Sequence, residues 1–136
     1  MSWDIIAIDM PPEIKCVADI PKGFVPPPLG KRAEVIGKIE AIIPAANFSD
    51  PGWGLIRGEG WSIEVSLGKA EECGSFSLHL RGGDGAFGAL VAILQGLNLR
   101  AIDCQTSEFF VAGKEGVESF ERWKQYRDRV VGLYKQ

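Results

Sequence analysis

Histidine occurs once in this chain and cysteine three times, as Cys16, Cys73 and Cys104. An odd number of well-separated cysteines, with no CxxC or Cys/His ligand spacing, excludes a disulfide scaffold and a zinc module. It predicts three free, structural thiols in a reducing compartment, and no metal site. A basic surplus is also missing. Fifteen Lys and Arg stand against eighteen Asp and Glu, for a net charge of −3, where nucleic-acid binding needs a basic face. Long apolar runs are absent too: the longest apolar helix candidate has about a dozen residues, too short to span a bilayer. The first ten residues carry Asp4 and Asp9 and no basic n-region, which makes a poor signal peptide. These absences predict a cytoplasmic protein with no membrane and no nucleic-acid partner.

What is present fits an ordinary globular domain. The chain is 46% hydrophobic and 24% charged, so it carries enough apolar surface to build a core. Its length of 136 residues predicts one domain over residues 1–136 that needs no covalent staple. One segment departs from the acidic balance. Residues 116–136 hold Arg122, Lys124, Arg127, Arg129 and Lys135 against Glu118, Glu121 and Asp128.

Hydrophobic periodicity places the elements. Residues 3–9 form an isoleucine-rich strand that Pro11 and Pro12 stop. Residues 21–30 are a proline-rich fixed arm. Val35, Ile36, Ile39, Ile42 and Ile43 recur at helical spacing over 31–43. A turn-rich loop at 47–54 precedes strands at 54–57, 61–67 and 75–81. The last two alternate strictly, which marks a sheet with one buried face and one wet or functional face. Residues 85–97 are almost wholly apolar and predict a central helix buried all round. A strand at 99–105, a short extension at 108–111 and an amphipathic helix at 116–134 complete the order β-α-β-β-β-α-β-α. The expected class is α+β, a mainly antiparallel sheet with helices packed on one face.

Several segments together carry a resemblance: Met1-Ser2-Trp3-Asp4-Ile5, Phe48-Ser49-Asp50-Pro51, Trp53-Gly54, Ser62-Ile63-Glu64-Val65, His79-Leu80-Arg81-Gly82-Gly83-Asp84 and Arg122-Trp123. The chain resembles a group of short bacterial single-domain proteins that begin Met-Ser-Trp-Asp-Ile. The resemblance runs over most of the chain and implies a bacterial, cytoplasmic protein. It implies no activity and carries over no catalytic residue.

Three motifs bear on chemistry. Gly83-Asp84-Gly85-Ala86-Phe87-Gly88 matches G-x-G-x-x-G between a strand and a helix, with Asp103 twenty residues on, as in a dinucleotide site. The context disagrees. The preceding strand alternates where a Rossmann strand is apolar throughout, and it belongs to an antiparallel meander. Asp84 would also repel a pyrophosphate. The expectation is a tight turn with Asp84 as the helix cap, and no cofactor. The second motif is the polar side of the hairpin. Pairing 61–67 with 75–81 sets Glu64 opposite Ser77 or His79, and Ser62 opposite His79 or Arg81. Glu64, Ser77, His79 and Arg81, with the loop residue Trp53 as an aromatic anchor, form the candidate binding face. The third is Lys31-Arg32 at a helix start, a candidate anion site. No complete catalytic set is present, so no catalytic residue is assigned. The functional expectation is a non-enzymatic protein-binding module, such as an inhibitor or immunity-like neutraliser. The alternative is a small-molecule or anion-binding protein, or an enzyme, using the polar face or the glycine-rich turn. A concave pocket at the polar face would favour the alternative, whereas a flat face carrying Trp53 would favour protein binding.

Overall fold

The computed structural model describes residues 2–110, together with residues 120–122, 125 and 129. In chain order the elements are β1 (Trp3–Ile8), β2 (Gly30–Lys31), α1 (Arg32–Ile42), β3 (Asn47–Asp50), β4 (Trp53–Gly58), β5 (Trp61–Ser66), β6 (Glu72–Cys73), β7 (Ser75–Gly82), α2 (Asp84–Leu97), β8 (Arg100–Asp103) and β9 (Glu108–Phe109). Seven strands form one sheet in the order β3-β4-β5-β7-β1-β8-β9. Every neighbouring pair in it is antiparallel. The short strands β2 and β6 pair separately, and this pairing ties down the end of the proline-rich arm. The class is α+β, as the periodicity predicts.

β1 comes from the start of the chain yet lies in the middle of the sheet. Its residues Ile5, Ile6, Ala7 and Ile8 pair with β7 on one side and β8 on the other. A central strand is covered at both edges, and apolar residues at consecutive positions suit it. Trp3, Ile5 and Ala7 point to one face, where they join Ile63, Val65, Phe76, Leu78 and Leu80 in the core. Val35 and Ile39 of α1 and Ala86, Leu90, Ile93 and Leu94 of α2 cover that same face. Both helices therefore pack on one side of the sheet. The Trp3 indole also meets Phe110 and Phe120, at ring separations of 5.9 and 5.4 Å. Its N–H donates to the buried Asp103 carboxylate at 3.0 Å.

Three expectations change. Part of the loop predicted at 47–54 is β3. The Phe48 ring lies against Gly54, where any Cβ would collide with it, so the missing side chain on β4 lets a short edge strand close in. α2 is not buried all round: Gly88, Gln95 and Gly96 are exposed, and Ala89, Val91 and Ala92 are half-buried. Alanine and glycine made the outer side of this helix look apolar without demanding burial. Asp84 does not cap α2. Gly83 occupies the cap position, with no side-chain cap bond, and Asp84 is the first helical residue, where its charge favours the positive end of the helix dipole. Residues 120–122 are helical and Phe120 is buried, but Val111 and most of the helix predicted at 116–134, Trp123 included, lie outside the described residues. At the other end, α2 stops at Asn98 in left-handed conformation (φ 53°). There the Leu99 N–H reaches back to the Leu94 carbonyl at 2.9 Å.

The glycine-rich turn has a structural use. Added Cβ atoms at Gly58 and at Gly85 would both collide with the Trp61 indole, so these two glycines form a seat that the ring fills. A Gly85→Ala change should displace the indole and destabilise the protein by about 1–3 kcal/mol, the usual range for overpacking. Urea denaturation checks this. The cost should shrink in a Trp61→Leu background, because the two sites share one contact. An equal cost in both backgrounds would show that the indole does not occupy the seat.

Candidate functional site

The second face of the sheet is built from the alternate residues of the same strands; α1 and α2 pack on the other side, and at the β8 end of the second face Arg100 holds the carbonyls of Pro11 and Ile14. Strand register sets it out in rows. Leu55, Glu64, His79 and Asp4 stand side by side across β4, β5, β7 and β1. The next row is Trp53, Ser66, Ser77, Ile6, Ile102 and Phe109. On the other side of the first row lie Arg57, Ser62 and Arg81. Ser62, Glu64, Ser66, Ser77, His79, Asp4, Ile6 and Ile102 are all half-buried, as on a partly solvated sheet face.

Trp53 anchors this face. It begins β4, is 45% exposed, and lies nearly parallel to the His79 ring (centroids 5.7 Å apart, 16° between planes). Because β5 separates β4 from β7, the indole reaches across β5 to make this stack. His79 is held from the other side by Asp4. Its Nδ1 lies 2.8 Å from Asp4 Oδ1, and Ser2 Oγ donates to the same oxygen at 2.6 Å. A carboxylate only accepts, so Nδ1 carries the hydrogen in this contact and Nε2 points away from it. Arg81 and Glu64 form an ion pair at 2.8 Å on the adjoining strands.

Burial pushes the Asp4 carboxyl up. The hydrogen bonds from Ser2 and His79 and the charges of His79 and Arg81 outweigh it and hold the group below its ordinary value. An Asp-oriented imidazole is the geometry of a general base. Among the described contacts, however, no hydroxyl or thiol meets His79. Ser77 stands one row away, opposite Ser66 and Ile6. Cys104, whose N–H donates to the Asp4 carbonyl at 3.0 Å, has its thiol pushed up by burial and by the charges of Asp4 and Asp103, so it stays protonated at neutral pH. All three cysteines are free. No group of three or more metal-ligating side chains occurs among the described residues.

Four predicted residues, Trp53, Glu64, His79 and Arg81, therefore lie together, and Ser77 lies beside them. Asp4 and Ser2 escaped sequence reading because nothing local reveals that β1 pairs with β7. Lys31 and Arg32 lie elsewhere. Arg32 Nη1 donates to the Gly68 carbonyl at 3.0 Å. Lys31 faces Glu72 across the β2–β6 pair, and the hollow beside it is lined by Glu34, Glu71 and Glu72. A second hollow joins Lys31 and Arg32 with Lys69 and Glu71. Asp103, the ribose-binding candidate of the dinucleotide motif, is buried and accepts the Trp3 and Gln105 N–H groups. No described helix is long and apolar enough to cross a membrane. Scans against family models, curated proteins and solved structures match nothing to this chain.

The lowered Asp4 value has a pH consequence. A carboxyl whose folded value lies below its unfolded one, ordinarily about 3.9, stabilises the fold above that pH. The contribution is lost as pH falls through the folded value. The stability difference between wild type and Asp4→Asn, measured by urea denaturation, should therefore shrink steadily below about pH 4. A difference that shows no decline as the pH falls below about 4 would show that Asp4 is not held by His79 and Ser2.

Proposed function

We propose that this chain is a non-enzymatic protein-binding module whose partner docks on the second face of the sheet, around Trp53 and His79. The observation that carries the reading is the stacked, 45%-exposed Trp53 on a face that mixes apolar side chains with charged pairs. A rigid, part-exposed aromatic among apolar and paired charged side chains has the composition of a binding hot spot. Its conformation is already fixed by His79, which lowers the entropic cost of docking. Asp4 acts here as the orienter of that imidazole. An acid–base role for the same pair would need a reacting group beside Nε2, and the depression at the turn end of the face, lined by Arg57, Ser62 and Arg81 among others, is shallow. A bacterial, cytoplasmic setting belongs to the proposal, supported by the sequence resemblance and by three free thiols.

Site-specific photo-cross-linking in the cells of origin tests it. A benzoylphenylalanine at Ser66 or Ser77 should give one discrete adduct, and Trp53→Ala should reduce it at least about tenfold, a hot-spot effect. The same probe at Gly88, on the outer side of α2, should give none. Adducts from Gly88 alone, or adducts indifferent to Trp53, would refute the docking face. An adduct of twice the chain mass would make the occupant a second copy.

A further inference from the structure

At the turn end of the second face, three strands bring Arg57, Ser62 and Arg81 into one row. Arg57 is opposite Ser62, and Ser62 is opposite Arg81. Neighbouring strands lie about 4.8 Å apart, so the two arginine backbones stand roughly 10 Å apart with the serine between them. Two guanidinium side chains can close that span on one small acceptor. The row lines a shallow depression of about 290 Å³, completed by Trp61 and turn glycines. Arg57 is exposed and makes no ion pair or hydrogen bond among the described residues. Arg81 is 42% exposed and is held by Glu64 through Nη1. A guanidinium has five N–H donors, so this contact positions Arg81 while leaving donors for a ligand. The whole chain carries a net charge of −3, yet this row holds two cations, with the Glu64 carboxylate that pairs with Arg81 one row away.

We infer that Arg57, Ser62 and Arg81 form an oxyanion subsite that receives an aspartate or glutamate side chain of an acidic protein partner. The inference rests on the docking reading above and names the partner's chemistry. Arginine forks match a carboxylate with two parallel N–H···O bonds, and Ser62 Oγ supplies a further donor. Glu64, one row away and paired to Arg81, repels a phosphate dianion more than a singly charged carboxylate. The depression is also too open to strip water from a small free ion, so a docked partner must close it.

The test uses the isolated chain with a hexaglutamate peptide as probe, followed by NMR of the arginine Nε–H groups. Saturable shifts should centre on Arg57 and Arg81. Binding should weaken roughly tenfold in Arg57→Gln, the loss of a charge-assisted pair, and recover in part in Arg57→Lys. Lys38→Gln, which removes an equal charge from α1, should change affinity less than about twofold, because a surface charge away from the site is screened. Inorganic phosphate at the same concentration should shift these groups weakly. Hexaglutamate binding indifferent to Arg57, or phosphate binding as tight as the peptide, overturns the inference. Trp53-dependent cross-linking that persists without any hexaglutamate binding sinks the subsite and leaves the docking face standing. Saturable hexaglutamate binding without Trp53-dependent cross-links sinks the docking face, and the partner carboxylate with it.

Discussion

A buried hydrogen bond from the Trp3 indole to Asp103 joins the first strand to the end of the eighth, and the two faces of the sheet depend on that alignment. β1 has to enter between β7 and β8, strands that lie far along the chain. Side chains alternate across a strand, so a slip of one residue would send Asp4 and Ile6 into the core and Trp3 into water. Trp3 resists the slip twice over. It packs against Phe110 and Phe120, and its N–H satisfies a carboxylate that is only 2% exposed. Leaving such a polar group short of a partner costs on the order of 1–3 kcal/mol.

The same alignment makes the second face. With Trp3 inside, Asp4 emerges beside His79. His79 is then gripped on one side by that carboxylate and covered on the other by Trp53. The charged groups nearby have counterparts, Asp4 with His79 and Glu64 with Arg81, while Arg57 projects without one among the described residues. The face thus carries one stacked aromatic and, at its turn end, two arginines.

Much of the fold was legible because hydrophobic alternation survives wherever one face is buried. Ile63 and Val65 against Glu64, and Phe76, Leu78 and Leu80 against Ser77 and His79, announce both the strands and their inner sides. The same alternation puts Glu64, His79 and Arg81 on one face of the hairpin. The pairing of β1 was not legible, since non-local register leaves no mark in local sequence, and Asp4 and Ser2 stayed hidden with it. β3 was missed because Asn47, Ser49 and Asp50 read as turn residues; only Phe48, lying on the bare backbone of Gly54, makes the segment a strand. The outer side of α2 was misjudged because hydropathy counts alanine and glycine as apolar, although neither loses much by facing water. The letters of the glycine-rich motif match a phosphate cradle, yet local sequence does not reveal that Gly85 makes room for the Trp61 indole while Gly83 and Gly88 face open space.

The central claim is that one face of the sheet forms the core under α1 and α2, while Ile6 and Ile102 on the other face stay open to solvent. Methyl NMR with a soluble gadolinium chelate measures this directly, through the solvent-induced relaxation of isoleucine methyls on both faces. Ile6 and Ile102 should relax strongly, whereas Ile5 and Ile63, which have no exposed surface, should be nearly unaffected. Equal protection of Ile6 and Ile5 would mean that the rest of the chain or a second copy already covers the second face, and would contradict the account.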